Sequence, residues 1–425
     1  MTAKMIELDK PPIRETAALV RLALPTDSET EVEESIEEMR LLADTAGADV
    51  VFVSIQRREA PNPGTLLGSG KIEEIRAACD ETGANIVLVD SNLTPRQGSK
   101  LEKLLDRKVV DRTQLILDIF AQHAHTNEGK IQVELAQLDY ILPRLAGRGS
   151  IMRQQGGIGV RGPGEQKLEV DRRVIRRRMS LLKEQLKGIR KKRIVQRKRR
   201  VESTVGTVAL VGYTNAGKSS LLNALAGSDV LVEDKLFATL DPRSRRCTLP
   251  SEREVILTDT VGFIRKLPHT LVDAFRATLE EVNDADVLLL VADAAHPAVE
   301  DHIRAVYEVL EEIKVSGKTV VTVYNKADIA ETARMDQLVR TTPEAIGVSA
   351  HTGEGLAPLL ERVDALLATN HSRVRLRIPQ SHAKLVAQVH ESGRVLSQEY
   401  QGEDVILEAE IGRALENKLA EYVSQ

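Results

Sequence analysis

The sequence contains no tryptophan, only two cysteines, and few aromatic residues, which make up 3% of its 425 positions. Cys79 and Cys247 are far apart, and neither has another cysteine nearby, which excludes a disulfide framework and a zinc ribbon. Apolar runs such as Val287–Ala292 are too short to cross a bilayer. The first fourteen residues lack the apolar core of a secretory signal. We therefore expect a cytoplasmic protein without a membrane span.

The composition indicates folded domains. Apolar residues make up 42% of the chain and charged residues 29%, which excludes wholesale disorder and provides material for buried cores. At roughly 150 residues per domain, the length predicts about three domains. The net charge of −4 by itself indicates no nucleic-acid partner, but it conceals a strongly basic segment.

Residues 1–112 alternate short apolar runs with helical periodicity, which predicts a small, mostly parallel α/β domain. The predicted strands are 17–24, 49–55, 85–90 and 108–111, and the predicted helices are 31–45, 72–82 and 95–105. The turn Gly68-Ser-Gly-Lys71 is either a tight turn or a second nucleotide site. It lacks the first glycine of a P-loop, and Ile72 replaces the Ser/Thr, so the tight turn is favoured.

Residues 113–203 are predicted to form a helical hairpin with a glycine-rich tip at 146–164. A helix over 113–145, with a break near 123–130, is expected to pack against a second helix over 165–200. Apolar residues of the second helix follow a heptad pattern at Leu168, Ile175, Met179, Leu182, Leu186 and Ile189. Their expected partners on the first helix are Val133, Leu138, Ile141 and Leu142.

The second helix of this hairpin is strongly basic. Between positions 172 and 200 the sequence has fifteen lysines and arginines and one acid, Glu184. A solvated helix face normally mixes both signs, so this bias favours contact with nucleic acid or the ribosome. The helix has no aromatic residue, which argues against base stacking and favours folded RNA.

The glycine-rich tip allows two interpretations, a flexible linker or a loop that a partner orders. Arginines bind phosphate, and four of them lie in or beside the tip, which makes the second interpretation the sharper one. They are Arg144, Arg148, Arg153 and Arg161.

Residues 212–219 match the G-x-x-x-x-G-K-[ST] pattern between a predicted strand, 207–211, and a predicted helix, 220–225. Backbone N–H groups of such a loop surround phosphates, and the helix N-terminus adds a favourable dipole. Lys218 should reach the β- and γ-phosphates, and Ser219 should bind Mg²⁺. The nucleotide-binding residues expected here are Gly212, Tyr213, Thr214, Asn215, Ala216, Gly217, Lys218 and Ser219.

Two further segments are predicted to close on the phosphates. A strand over 256–258 precedes Asp259, which should bind Mg²⁺ through water, and Gly262, whose N–H should contact the γ-phosphate. Thr239 is expected to close on Mg²⁺ as part of a mobile switch. The nucleotide-binding residues predicted from these segments are Phe237, Ala238, Thr239, Leu240, Asp241, Asp259, Thr260, Val261 and Gly262.

A third predicted strand, 320–324, precedes a motif that selects the base. The Asp328 carboxylate can accept both the ring N–H and the exocyclic amine of guanine, a donor pair that adenine lacks, so GTP is favoured over ATP. Asn325 should brace the loop and Lys326 should lie along the base. The residues expected around guanine are Asn325, Lys326, Ala327 and Asp328, with Val348, Ser349 and Ala350 directing backbone N–H groups at O6.

Catalysis of GTP hydrolysis is expected to depend on Lys218, Thr239, Gly262 and Asn215. Small GTPases commonly have a glutamine after the glycine that corresponds to Gly262, and it orients the attacking water. Phe263 stands there and has no hydrogen-bonding group, so an external contribution is expected. Asn215 either holds a K⁺ ion near the phosphates or only braces the loop.

The remaining domains are predicted to be a GTPase domain over 204–368, a parallel sheet flanked by helices, and a small α+β domain over 369–425. In the latter, strands are expected at 374–378 and 405–408, and helices at 382–390 and 411–423. His382 and His390 are interpreted as surface residues rather than a metal pair.

The motifs outside the nucleotide site resemble those of the HflX family of translation-factor-class GTPases. They are Gly68-Ser-Gly-Lys71, Leu93-Thr-Pro-Arg-Gln97, Val110-Asp-Arg-Thr113 and Gly156-Gly-Ile-Gly-Val-Arg-Gly-Pro-Gly-Glu165. The Phe-Ala-Thr-Leu-Asp-Pro run at 237–242, within the predicted nucleotide site, also fits this family. This resemblance implies a cytoplasmic GTPase that binds the large ribosomal subunit, with the tip near the peptidyl-transferase region. It also implies splitting or rescue of stalled or idle ribosomes under stress. We expect a monomer, and we expect a fraction of the molecules to be associated with a membrane.

An alternative of another class stays open at this point. The protein could be an RNA-binding or RNA-remodelling protein whose GTP mainly regulates binding. Both hypotheses depend on the same basic helix.

Overall fold

The structure is a computed structural model that describes residues 14–148, 163–201, 205–227, 236–237, 239–265, 281–315, 317–368 and 371–424. Residues 149–162 of the predicted tip, with Arg153 and Arg161, lie outside the described residues, and so does Ala238. The chain forms two compact units, and the boundary falls within a long helix between Glu184 and Gln185. Within the described ranges, no helix is both long enough and apolar enough to cross a membrane.

The first unit contains a four-stranded parallel sheet in the order β2-β1-β3-β4. The strands are β1 (Glu15–Ala23), β2 (Ala48–Arg57), β3 (Ile86–Val89) and β4 (Lys108–Asp111), and the helices between them are α1 (Glu29–Ala46), α2 (Ser69–Thr82) and α3 (Pro95–Leu105). The predicted parallel α/β fold of this region is therefore confirmed. Gly68 precedes α2 as its N-cap, and its N–H is donated to Gln56 Oε1 at 3.0 Å.

The predicted helical segments follow as α4 (Arg112–His123), α5 (Asn127–Arg148) and α6 (Pro163–Val201), with the break between α4 and α5 where it was expected. The seam residues Met179 and Leu182 of α6 are 7% and 1% exposed. Arg178 joins the two helices, because it donates to both carboxylate oxygens of Glu134 at 2.6 and 2.7 Å. Ile141 was wrongly predicted as a seam residue, since it is 42% exposed and turns away from the core.

Arg144, which was predicted beside the tip, has partners within the first unit. Its guanidinium pairs with the buried carboxylate of Asp111 at 2.9 Å and also donates to the Leu93 carbonyl at 2.8 Å. It lies 3.3 Å from the centroid of the Tyr140 ring. A buried carboxylate requires a compensating partner, so Arg144 holds α5 on the parallel sheet.

The second unit contains a six-stranded sheet in the order β10-β9-β8-β5-β7-β6, parallel except for β6. Its strands are β5 (Gly206–Gly212), β6 (Arg243–Thr248), β7 (Glu254–Asp259), β8 (Val287–Asp293), β9 (Thr319–Asn325) and β10 (Ile346–Gly347). The described helices around this sheet include α7 (Lys218–Ala226), α8 (Val299–Glu312), α9 (Thr332–Thr341) and α10 (Leu356–Ala368). Strand β6 was not predicted, because its arginines hide the pattern of an edge strand.

The central strands β5 and β8 are buried along nearly their whole length, as parallel strands covered on both faces must be. Their carboxyl ends meet at one edge of the sheet, and the predicted site residues follow these ends. This edge is where open α/β sheets bind ligands.

The carboxyl-terminal part of this unit is an antiparallel sheet in the order β12-β13-β11-β14. Its elements are β11 (His371–Pro379), α11 (Ala383–Ser392), β12 (Gly393–Gln401), β13 (Asp404–Gly412), α12 (Arg413–Lys418) and β14 (Val423–Ser424). The predicted helix over 411–423 was wrong at both ends, because Ile411 pairs with Ser372 and Val423 with Leu376 in the sheet. His382 and His390 are exposed. No cluster of three or more potential metal ligands occurs within the ranges described.

Candidate nucleotide-binding site

The loop between β5 and α7 depends on two glycines. A Cβ atom at Gly212 would lie 2.2 Å from the Val291 carbonyl oxygen, so β5 and β8 could not approach as they do. Gly217 has a φ of +85°, which L side chains rarely adopt, and it is the N-cap of α7. The loop thus presents the N-terminus of α7 at the sheet edge.

Lys218 lies beneath this loop and is 6% exposed. Its Nζ donates to the carbonyl oxygens of Gly212 and Tyr213 at 3.1 and 2.7 Å, which fixes the direction of the ammonium group. Burial lowers the pKa of Lys218 to about 8, although the nearby Asp259 carboxylate acts in the opposite direction. A bound phosphate would favour the charged form.

Three oxygen-bearing side chains from separate segments meet beside Lys218. Ser219 Oγ donates to Asp259 Oδ2 at 2.6 Å and lies 2.9 Å from Thr239 Oγ1. Asp259 is 0% exposed. Burial raises the pKa of Asp259, while Lys218 and the Ser219 hydrogen bond oppose that shift. Asp259 Oδ1 has no hydrogen-bond partner within the described part of the chain.

Asn325 links the loop to the base-binding segments. Its Nδ2 donates to the Ala216 carbonyl at 2.9 Å, and its Oδ1 accepts the Ala350 N–H at 3.1 Å. Asn325 is 2% exposed, so both bonds are shielded from water. One side chain therefore holds together the ends of β5, β9 and β10.

Asp328 is exposed at the sheet edge, and its Oδ1 accepts the Ser349 hydroxyl at 2.7 Å. This hydrogen bond lowers the pKa of the Asp328 carboxyl, so the group is ionised at neutral pH. Lys326 forms an ion pair with Asp293 Oδ2 at 2.8 Å. The hydrogen bond fixes the Asp328 carboxylate as an acceptor, and the ion pair fixes the aliphatic part of Lys326. Both can then contact a planar guanine base.

The backbone N–H groups expected at guanine O6 have partners inside the protein. Val348 N–H is donated to Tyr324 O at 2.8 Å, and Ser349 N–H to Glu354 O at 2.9 Å. Ala350 N–H reaches Asn325 Oδ1 at a longer 3.1 Å. Of the three, Ala350 has the weakest existing bond for an O6 atom to share.

Several predicted residues lie in the site segments with their side chains turned inward. Thr260 is 0% exposed and donates its hydroxyl to the Leu210 carbonyl at 2.7 Å. Other side chains that are buried are those of Phe237, Leu240, Val261 and Val348. Asn215 is exposed with a φ of +60°.

Sequence reasoning missed two residues that the fold brings to this edge. Asp293 ends β8 and holds Lys326, and a carboxylate after a buried apolar run was a signal for it. His302 of α8 stacks on Tyr213 with ring centroids 3.8 Å apart, and no local pattern indicates this contact.

These features define a P-loop GTPase. They are a phosphate-binding loop, a cluster of three side chains with oxygen ligands and a base-selecting aspartate, all at the carboxyl edge of a mostly parallel sheet. Family models agree over most of the chain. Residues 33–121 match the GTP-binding GTPase N-terminal model, 123–200 the GTP-binding GTPase middle region, and 207–326 a model described as 50S ribosome-binding GTPase.

Relatives identify the family. GTPase HflX of Lacrimispora saccharolytica is 44% identical over 419 residues, covering 98% of each chain. GTPase HflX of Escherichia coli (strain K12) is 42% identical over 393 residues, 92% of this chain and 91% of that one. A crystal structure of a GTP-binding protein from Sulfolobus solfataricus in complex with GDP is 27% identical, covers 84% of this chain and 99% of its own, and superposes with a TM-score of 0.45. The chain belongs to the HflX family of GTPases, and it binds GTP and hydrolyses it to GDP and phosphate.

Proposed function

We propose that this GTPase binds the large ribosomal subunit and splits or rescues stalled or idle ribosomes under stress, acting as a cytoplasmic monomer. The observation that carries the proposal is the basic face of α6. Support also comes from the model matched by residues 207–326, whose description is a 50S ribosome-binding GTPase.

The basic face is solvent-accessible over the part of α6 whose side chains are described. Its exposed cations are Arg173, Arg176, Arg177, Arg178, Lys183 and Lys187. Arg178 is different, because its pairing with Glu134 holds it against α5. A group of positive charges on an exposed helix favours a phosphate backbone as partner. Binding should therefore weaken steeply as the salt concentration rises.

The Mg²⁺ proposed for this site fits the residues present. Ser219 and Thr239 supply hydroxyl oxygens 2.9 Å apart, and the buried Asp259 has an oxygen without a hydrogen-bond partner in the described part of the chain. Oxygen donors of this kind are what Mg²⁺ prefers. Ser219 and Thr239 would hold the ion directly and Asp259 through water. The ion would neutralise charge on the β- and γ-phosphates.

Hydrolysis places different demands on the protein. Lys218 is aimed by two carbonyl oxygens and can stabilise negative charge as it develops on the transferred phosphate. Phe263 is 1% exposed, and its side chain packs in the interior, so it orients no water. We infer that contact with the large subunit supplies the missing alignment by ordering Thr239 and the loop after Gly262.

Asn215 is the proposed K⁺ ligand near the phosphates. Its exposure and its position three residues before Lys218 support this role. Turnover measured in potassium and in sodium tests it, with Asn215→Ala as the variant. Equal wild-type rates in the two salts would leave Asn215 with the bracing role alone.

Co-sedimentation and subunit profiles test the proposed function. Purified protein with a GTP analogue should sediment with large subunits more than protein with GDP, and large subunits should stimulate GTP turnover. Added to 70S particles with GTP, the protein should increase the separated subunits in a sucrose gradient. Unwinding or annealing of RNA without ribosomes, together with no binding to subunits, would instead support the RNA-remodelling alternative.

A further inference from the structure

Tyr213, the second residue of the phosphate loop, contacts the catalytic region in three ways. Its carbonyl oxygen accepts a hydrogen bond from Lys218 Nζ at 2.7 Å. Its hydroxyl accepts the backbone N–H of Arg265, also at 2.7 Å. Its backbone forms a short parallel bridge with Phe263. The same residue therefore contacts Lys218 and the loop that follows Gly262.

The backbone bridge brings this loop close to the phosphate loop. Phe263 N–H is donated to Gly212 O at 3.1 Å, and Thr214 N–H to Phe263 O at 2.8 Å. Gly262 lies so near Lys218 that a Cβ atom there would be 3.0 Å from Lys218 Nζ. A small displacement of the loop would therefore change the distance between the Gly262 N–H and the ammonium group.

The ring of Tyr213 is fixed from the other side by α8. The His302 imidazole stacks on it with an interplanar angle of 4° and a centroid distance of 3.8 Å. His296 lies 4.3 Å from His302, and its Nδ1 accepts the Ala298 N–H at 3.1 Å. Arg334 donates to the His296 carbonyl at 2.8 Å, so α9 holds this support in place.

The environment keeps His302 neutral. Burial lowers the pKa of His302 to about 3, and the neighbouring His296 and Arg265 act in the same direction. The imidazole is neutral at physiological pH and packs flat against the phenol ring.

We infer that Tyr213 and His302 are positioning residues for GTP hydrolysis. The Tyr213 hydroxyl holds the Arg265 N–H and thereby the loop that carries Gly262, and His302 holds the Tyr213 ring in the orientation that this bond requires. The pair acts on the γ-phosphate side of the site and leaves the GDP-binding contacts unchanged.

Tyr213→Phe removes one hydroxyl and keeps the ring. The net contribution of one hydrogen bond corresponds to about a two- to twelvefold change in an equilibrium constant. We expect faster amide hydrogen exchange in the peptide over 263–265, and a two- to twelvefold loss in affinity for a GTP analogue and in turnover. Affinity for GDP should stay within about twofold of wild type. Tyr307→Phe is the matched control, because it removes an exposed hydroxyl from α8.

His302 is tested with two variants. His302→Ala should reproduce the Tyr213→Phe pattern, while His302→Phe, which retains a ring on Tyr213, should restore exchange protection and turnover. Thermal unfolding of both variants shows whether the fold is intact. The inference is overturned if Tyr213→Phe leaves exchange at 263–265 unchanged, or if GDP affinity falls as much as GTP-analogue affinity. It fails for His302 if the alanine variant behaves like wild type or the phenylalanine variant gives no rescue.

Discussion

The amide of Asn325 fills the space beside Gly217. A Cβ atom on Gly217 would lie 2.2 Å from Asn325 Nδ2, a distance that real Cβ contacts do not show. Asn325 cannot move away without losing two hydrogen bonds, because its Nδ2 donates to Ala216 O and its Oδ1 accepts the Ala350 N–H. The glycine of the phosphate loop is thus required by a residue 108 positions later as well as by its own backbone.

Gly217→Ala should abolish or severely weaken binding of both GDP and GTP. The methyl group would displace Asn325, and the left-handed φ of +85° would add roughly 1–2 kcal/mol. Gly227→Ala provides the matched control, since Gly227 also has a positive φ, +59°, but nothing within 4 Å of its Cβ position. Titration with a fluorescent GDP and thermal unfolding measure both variants. Equal effects of the two substitutions would show that backbone strain, and not the contact with Asn325, is what matters.

Asp328→Asn should weaken GTP binding by roughly 5- to 150-fold, the equivalent of about 1–3 kcal/mol for an unpaired polar group. An asparagine that keeps its oxygen on the Ser349 hydroxyl would turn an NH₂ group towards the guanine donors. The variant should bind xanthine nucleotide better than wild type does, because xanthine offers an acceptor at that position. Asp336→Asn, at an exposed position of α9, is the control. Unchanged GTP affinity in equilibrium titration would refute this role.

Replacement of Arg173, Arg176 and Arg177 by glutamate should reduce ribosome binding and its salt dependence. If each contacts a phosphate, the log–log salt slope should decrease in magnitude by roughly 2–3. GTP turnover without ribosomes should change little. Arg178 is left unchanged because its loss would also break the pair with Glu134.

A second triple variant gives the same charge change elsewhere on the first unit. Arg40, Arg76 and Lys103 are exposed cations of α1, α2 and α3. If both triple variants bind subunits equally at moderate salt, α6 has no special role and its charge is only solvated.

His302 should make stability depend on pH. Its pKa is lowered to about 3 in the folded protein from 6.5, so between these values the unfolded chain binds a proton that the native state does not. Above about pH 6.5 the titration of His302 therefore does not change the free energy of unfolding. As the pH falls below this value, the free energy of unfolding decreases by at most about 1.4 kcal/mol per pH unit.

Urea unfolding between about pH 7 and pH 4.5 measures this effect. His302→Phe keeps the stacked ring and removes the titration, so its stability should decline less steeply than that of wild type. His390→Phe, on the exposed surface of α11, is the control for replacing a histidine by phenylalanine. Parallel slopes for wild type and His302→Phe would contradict the assignment.

The elements that were predicted well are those with a strong local pattern. The strand β4 and the helix α3 have the predicted bounds, because an apolar run and a Thr94 capping box define them within a few residues. The segments of the nucleotide site could be predicted for the same reason, since each has its signature within a short stretch of chain.

The sequence alone determined which segments carry the nucleotide chemistry, because glycines, the lysine and the acids stand at characteristic local spacings. Tertiary structure decided what those patterns could not show. Arg144 forms an ion pair with Asp111, His302 stacks on Tyr213, and Ile411 pairs with Ser372 in a strand. Each of these outcomes depends on a partner more than thirty positions away, and the free energy of burying a charge, stacking a ring or pairing a strand arises only when the folded chain brings the two together.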